Sequence, residues 1–487
     1  MDLHVSLVGR RNLSGQVYRQ IREAILNGRI RAGDRLPPSR ELADRVGVSR
    51  NTVLVVYDRL RSEGFLEART GSGTFVSADM RPRARSGVTD SPLRARALWD
   101  GIGEGLDLSA SDPPFDLRPG IPDAARFPFA PWRARMSRQL RPRAVGRGAH
   151  IGPAGHPALR EAVADHVGVS RAVRARPDDV FITNGSQQAL DLIGRVLLEP
   201  GEAVALEDPG YPLARRAFQA QGLRVVPVPV DEEGLVVDAI PDGVRLVYVT
   251  PSHQYPLGMA LSMERRQALL AWARNADAAI VEDDYDSEFR YDGRPLETLH
   301  GLDGSGRVLY VGSLSKVMLP TLRLGFVVAP PSLHAALRKA KAAMDWHTAV
   351  PVQAAAAEFI GDGLLAKHVR RMRRIYAERH RCVVETLEES FDGRLTPLPS
   401  NGGLHLTAVF GPSGEPPVRP RVEPLVQTTD LAIGERAEAE GVAVLPLSRH
   451  YLADPLREGL LIGYGAIEVD RIAEALTRLA RCLHGAA

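Results

Sequence analysis

The chain has 487 residues, 44% of them hydrophobic and 25% charged, which suits a soluble globular protein of two or three domains with a sizeable core and excludes a small stapled scaffold. No apolar run approaches the roughly 18 residues of a membrane span, residues 1–10 lack a signal-peptide stretch, and Cys382 and Cys482 are the only cysteines, in no metal-type or disulfide-framework spacing, so a reducing cytoplasm is expected. The net charge is +3, yet residues 1–78 hold 13 arginines against 8 acidic residues, so a basic head precedes a near-neutral body and points to a polyanion partner for the head alone.

In chain order, Leu13 to Leu26 places Val17, Ile21, Ala24 and Ile25 on one helical face, and Gly28 ends the pattern. A short helix follows Pro37-Pro38, with Ser39 as its expected N-cap, and runs to about Arg45. Gly47-Val48-Ser49 makes a tight turn, after which Val53, Val56, Tyr57 and Leu60 keep helical spacing until Gly64. Two helices joined by a glycine-containing turn form a helix-turn-helix. Phe65 to Arg69 and Gly73 to Val76 read as two strands around a Thr70-Gly71-Ser72 turn, a hairpin wing. Residues 79–112 lose periodicity and are read as an interdomain linker. From Phe115 onward, strands such as Val180 to Thr183, Ala203 to Glu207 and Ala279 to Glu282 alternate with helices such as Gln187 to Leu198 and Met263 to Asn275. That alternation predicts an α/β body, residues 113–487, on a largely parallel sheet.

In a helix-turn-helix the second helix enters the major groove with its first residues toward base edges, here Ser49, Arg50, Asn51 and Thr52. Arginine and asparagine read guanine and adenine bidentately. Arg40 is placed to hold a phosphate, and the glycine-rich wing can approach the backbone. The runs Leu36 to Ala43, Val48 to Val53, Gly64 to Leu66 and Gly71 to Val76 resemble the GntR family of winged-helix regulators over residues 12–77. The resemblance implies a dimer reading paired half-sites of double-stranded DNA, with Arg40, Arg50, Thr52 and Gly73 on or near it.

The body has only four lysines, Lys316, Lys339, Lys341 and Lys367, and a cofactor bound as a Schiff base needs one. Lys316 alone sits in a glycine- and serine-rich turn after a strand, Gly312-Ser313-Leu314-Ser315-Lys316, with Arg323 close behind. Gly185-Ser186-Gln187 lies between a strand and an apolar helix, either a plain cap or a phosphate cradle at a helix N-terminus. Glu282-Asp283-Asp284-Tyr285 ends a strand at the edge where α/β sheets bind ligands. A buried acid there would protonate a pyridine nitrogen, and Tyr285 would reach the ring oxygen. Tyr211, after Asp208-Pro209-Gly210, is either a stacking ring or core packing.

Joined in this order, these pieces resemble fold type I aminotransferases that use pyridoxal 5'-phosphate, over roughly residues 113–485. A GntR head on such a body is similar to the MocR subfamily of transcriptional regulators, whose pattern EDDYDSEF (Glu282 to Phe289) and PSHQYPLG (Pro251 to Gly258) closely follow. The resemblance implies a head-to-tail homodimer in which Lys316 carries the cofactor as a Schiff base. It further implies that Asp283, or Glu282 in its place, pairs with the pyridine nitrogen, and that Tyr211 stacks and Tyr285 contacts the ring oxygen. Ser186, Gln187, Ser313 and Arg323 then hold the phosphate.

The chain departs from the enzymes in two places. Leu461 stands where they carry the arginine that binds a substrate carboxylate with its planar fork, with Arg449 and Arg457 upstream as replacement anchors or as surface residues. His253, Gln254 and Tyr255 stand where an asparagine near the ring oxygen is usual. The leading expectation is a regulator that senses pyridoxal phosphate or an amine of the vitamin B6, γ-aminobutyrate or taurine type. The alternatives are an active aminotransferase with a DNA-binding appendage, and a body that serves only as a dimerisation scaffold.

Overall fold

The computed structural model describes residues 5–7, 9, 12–69, 71–78, 94–103, 113–146, 148–291, 296–411 and 430–484. The chain divides into two compact units, Met1–Ala95 and Arg96–Ala487. Most of the expected linker, residues 79–93 and 104–112, lies outside the described residues; within its described part Ala97–Gly101 forms a short 3-10 helix.

In the first unit α1 is Leu13–Leu26, α2 Ser39–Val46 and α3 Arg50–Ser62, followed by β1 Leu66–Arg69 and β2 Gly73–Val76. The apolar faces read from spacing converge: Val17, Ile21, Leu42, Val53, Val56 and Leu60 are buried in one cluster with Leu36 and Val76. The turn between α2 and α3 closes on Gly47, at φ 72, a left-handed conformation that glycine adopts without a Cβ penalty. Ser39 is not the N-cap of α2; Pro38 holds that position without a side-chain cap, and Ser39 is the first helical residue. Ser49 does cap α3, accepting from the Thr52 amide at 3.1 Å. β1 and β2 pair antiparallel from Leu66↔Val76 to Arg69↔Gly73, and the Leu36 amide donates to the Thr74 carbonyl, so the wing is tied to the segment preceding α2.

Tyr57 locks α3 to that segment, its hydroxyl donating to the Pro37 carbonyl at 2.8 Å in a buried setting. Tyr57→Phe leaves this buried carbonyl without its donor, at a cost of about 1–3 kcal/mol. The expected result is an earlier unfolding of the head, read as faster amide exchange across residues 13–76 of the full chain.

The second unit is built on an eight-stranded sheet of β3 Val180–Thr183, β4 Ala203–Asp208, β5 Arg224–Asp231, β6 Gly234–Leu235, β7 Val244–Val249, β8 Ala279–Asp284, β9 Val308–Ser313 and β10 Gly325–Val328. The spatial order is β3-β10-β9-β8-β7-β4-β5-β6. The pairs from β9 through β5 are parallel, while β10 runs antiparallel to both β9 and β3, and β6 antiparallel to β5. β3, β4 and β9 are buried along their whole length, which explains their continuous apolar character: a sheet covered on both faces has no polar side. A smaller sheet of β11 Leu395–Pro397, β12 His405–Phe410, β13 Leu445–Pro446 and β14 Gly459–Gly463 lies in the order β11-β12-β14-β13. Among the described residues no helix is long and apolar enough to cross a membrane.

Candidate functional site

The parallel strands β4, β7, β8 and β9 end at one edge of the large sheet, and the predicted residues gather there. Lys316, half-buried just past β9, donates to the Gly120 carbonyl at 2.5 Å. Burial lowers its pKa against the pull of Asp286 and Asp283, the direction that favours a neutral, nucleophilic amine. Gly120 sits at φ 75, and a Cβ built on it would lie 2.6 Å from the lysine nitrogen, so a side chain there would push the amine aside.

Neighbouring residues of β8 point to opposite faces, and this separates the two acids that the sequence left open. Glu282 accepts from the amides of Leu299 (3.0 Å) and His300 (2.9 Å), so its carboxylate is spent on a helix start. Asp283 is buried, takes the Tyr248 hydroxyl on Oδ2 at 2.8 Å, and has no partner on Oδ1. A buried carboxylate oxygen without a donor is costly unless a ligand supplies one. A protonated pyridine nitrogen is such a donor, and the residues present therefore fit the cofactor.

Burial raises the Asp283 carboxyl to about 7, despite the Tyr248 bond. An acid whose folded pKa lies above its unfolded value, about 3.9, costs stability progressively as pH rises from about 4 to about 7. In the cofactor-free protein Asp283→Asn is therefore expected to raise the melting temperature at pH 8 and leave it nearly unchanged at pH 4. The same variant should bind the cofactor more weakly, because the amide cannot neutralise a pyridinium. Calorimetric scans at the two pH values, with and without added cofactor, check both halves.

The residues expected at the phosphate gather where α4, Ser186–Leu197, begins. Gly185 has φ 80, and its built Cβ would lie 3.2 Å from Arg323 Nη2, which itself donates to the Asn184 carbonyl at 3.0 Å. Gly325 on β10 allows the same closeness, since a Cβ there would meet the Gly185 carbonyl carbon at 2.7 Å. Gln187 spends its amide nitrogen on the Leu213 carbonyl (2.9 Å), leaving a buried Oε1 without a partner. Ser313 accepts from the Ser315 amide at 3.1 Å. Free amides at a helix start, a guanidinium and serine hydroxyls together make an anion cradle.

Tyr211 is half-buried with its ring at 5.3 Å and 78° from Tyr255. Its loop is fixed by the Leu452 and Ala453 amides on Asp208 (2.6 and 3.1 Å) and by Gln254, which donates to the Pro209 carbonyl at 2.8 Å. Tyr285 Oη lies 2.9 Å from His253 Nδ1, and the same nitrogen is 3.1 Å from both Asp286 oxygens. His253 Nε2 faces Ser400 Oγ at 3.2 Å. Leu461 is fully buried on β14 in an apolar cluster with Leu257, Leu445 and Leu447, against which Tyr255 packs. Arg449 is exposed, and Arg457 is half-buried beside Tyr451.

Sequence reasoning missed Tyr248, Gly120 and His405. A tyrosine in a strand carries a hydroxyl that needs a partner once buried, and that was the one available signal for Tyr248. Gly120 and His405 reach the site only through the tertiary fold.

In the head, Arg40, Ser49, Arg50 and Asn51 are exposed and Thr52 is half-exposed. Arg50 Nε contacts Ser39 Oγ at 3.4 Å, and Ser49 and Thr52 hydroxyls lie 2.8 Å apart. Gly73 is exposed at the wing with φ 116.

Comparison with known proteins finds two family matches in the chain. The family of bacterial regulatory proteins of gntR type matches residues 13–76, and aminotransferase class I and II matches residues 108–479. A probable rhizopine catabolism regulatory protein MocR from Rhizobium meliloti is 37% identical over 95% of this chain and 92% of its own. The pyridoxine biosynthesis transcriptional regulator PdxR of Corynebacterium glutamicum is 32% identical over 95% and 94%. Among solved structures, the α-aminoadipate aminotransferase LysN of Thermus thermophilus, complexed with N-(5'-phosphopyridoxyl)-L-leucine, superposes with a TM-score of 0.68 at 31% identity, covering 76% of this chain and 92% of that one. The chain belongs to the MocR subfamily of GntR-type transcriptional regulators, with a winged helix-turn-helix head and a pyridoxal phosphate-dependent aminotransferase-like body.

Proposed function

We propose that this regulator uses pyridoxal phosphate as the reactive element of a sensor, and that an amine effector or the cofactor itself is its signal. Lys316 joins the cofactor, Asp283 pairs with the pyridine nitrogen, Tyr211 stacks on the ring and Tyr285 reaches its oxygen. Ser186, Ser313, Arg323 and the backbone amide of Gln187, whose side-chain nitrogen is spent on Leu213, hold the phosphate. When bound, the cofactor supplies an aldehyde that exchanges amines and withdraws electrons. The protein's own residues orient it, neutralise its charges and shield it from water.

The observation that carries this reading over ordinary transamination is Leu461, sealed in an apolar cluster where the enzymes hold a carboxylate-binding arginine. The Rhizobium relative is named for the catabolism of a small molecule and the Corynebacterium relative for synthesis of the vitamin; these names support the two kinds of signal. The active form is a cytoplasmic head-to-tail homodimer whose two heads grip paired half-sites through Arg40, Ser49, Arg50, Asn51, Thr52 and Gly73. Ligand binding changes head spacing by favouring one of two arrangements of the dimer. The test is visible absorption of the cofactor-loaded chain during titration with amines, with keto product assayed in parallel. A band that shifts without turnover is expected; steady conversion of an amino acid to its keto acid would overturn the reading in favour of an enzyme.

A further inference from the structure

A buried ion pair stands against the start of α4. Lys341, one of the four lysines and part of the helix His334–Met344, is fully buried, and its amine donates to Asp345 Oδ1. A buried ammonium without a counter-charge is strongly destabilising, so the position of Lys341 dictates where the Asp345 carboxylate must lie. The Asp345 amide adds a second restraint, donating to the Lys341 carbonyl at 3.1 Å. Asp345 Oδ2 serves the segment that leads into α4: it accepts from Asn184 Nδ2 at 2.9 Å and from Gln188 Nε2 at 2.8 Å.

The Asn184 amide donates in turn to Gln188 Oε1 at 2.8 Å, so Asp345, Asn184 and Gln188 close a ring of three hydrogen bonds. Asn184 also presents its carbonyl to Arg323 Nη2 at 3.0 Å. Arg323 is exposed and holds φ 52, a left-handed conformation that a non-glycine residue keeps only where its surroundings impose it. An exposed guanidinium on a flexible stem has many positions open to it, and the Asn184 carbonyl selects one, close against Gly185 at the head of α4. Lys316 and Asp283 stand apart from this ring. Their partners are Gly120 and Tyr248, and among the described residues neither shares a hydrogen bond with Asp345, Asn184 or Gln188.

From this geometry we infer that Asp345 is a positioning residue for the cofactor phosphate, its charge held in place by Lys341. It acts through Asn184, which ties it both to the start of α4 and to Arg323. The inference rests on the proposed phosphate site and deepens it by naming what fixes that site. Its consequence is selective: the ring supports ligands that carry a phosphate and leaves the contacts of Lys316 and Asp283 as they are. A merely structural pair would instead weaken every ligand of the body alike.

The experiment compares pyridoxal phosphate with 5'-deoxypyridoxal, which keeps the ring and the aldehyde and lacks the phosphate. Each is titrated by visible absorption into the cofactor-free full-length chain and into Asn184→Ala and Asp345→Asn. Asn184→Ala removes one bond of the ring and leaves the ion pair whole, so it decides the question even where Asp345→Asn, with its unpaired Lys341, fails to fold. Loss of a hydrogen bond to a carboxylate predicts a dissociation constant for pyridoxal phosphate about 10-fold higher in Asn184→Ala. A larger rise is expected in Asp345→Asn, with 5'-deoxypyridoxal bound as before in both. Equal weakening of the two ligands, or unchanged binding of pyridoxal phosphate in Asn184→Ala, would overturn the inference while leaving the phosphate site intact. If the unaltered chain binds both ligands equally, the phosphate site falls and the inference with it.

Discussion

Lys316→Ala is expected to abolish the visible absorption of the bound cofactor and, with it, any effector-dependent change in DNA affinity, while the unliganded chain still binds DNA. The reason is economy of lysine: Lys339 and Lys367 are exposed on helices and Lys341 is fully buried and paired with Asp345, so none is free to stand in for the amine placed against Gly120. A coupling of ordinary size, about 1–3 kcal/mol or 5- to 150-fold in affinity, should vanish in the variant. Spectra and DNA titrations on the same preparation check both effects. A variant that keeps its ligand response would show that the body signals without the lysine.

Arg50→Ala carries the second large effect. Arg50 is exposed at the first turn of α3, behind a capping Ser49 that fixes the helix start, and a bidentate contact from such a position is worth about 1–3 kcal/mol of discrimination between bases. Loss of about 5- to 150-fold for the preferred duplex, with little change for unrelated sequence, is expected in competition titrations. Arg40→Ala should behave differently, weakening all duplexes alike and reducing the salt slope by about 1. The contrast separates base reading from phosphate positioning.

Much of the head was legible from spacing because its signals are local. Apolar periodicity, Gly47 in the turn and Ser49 as cap all act within a few residues, and each element matches to within a residue or two. Ser39 misled because a Pro-Pro-Ser run places its serine one position too late to cap. In the body, Lys316 and Ser186 come just past strand ends, Asp283 lies near the end of β8 and Arg323 just before β10, so the delivery of parallel strand ends to one edge lets the sequence place these residues near one another. The choice between Glu282 and Asp283 was not readable from composition; it depends on which face of β8 looks toward the site, and the amides of Leu299 and His300 occupy Glu282 while Asp283 keeps an unpartnered oxygen. Tyr248, Gly120 and His405 come from distant segments, and nothing local marks them as neighbours of Lys316.

The most direct test of the account is the affinity of the full chain for a duplex selected from a random pool, measured without pyridoxal phosphate, with it, and with it plus an amine that shifts its absorption. A change in affinity or in preferred half-site spacing that follows the state of the cofactor, and is absent in Lys316→Ala, is the predicted result. Identical binding under all three conditions would contradict it and leave the body as a scaffold for dimerisation.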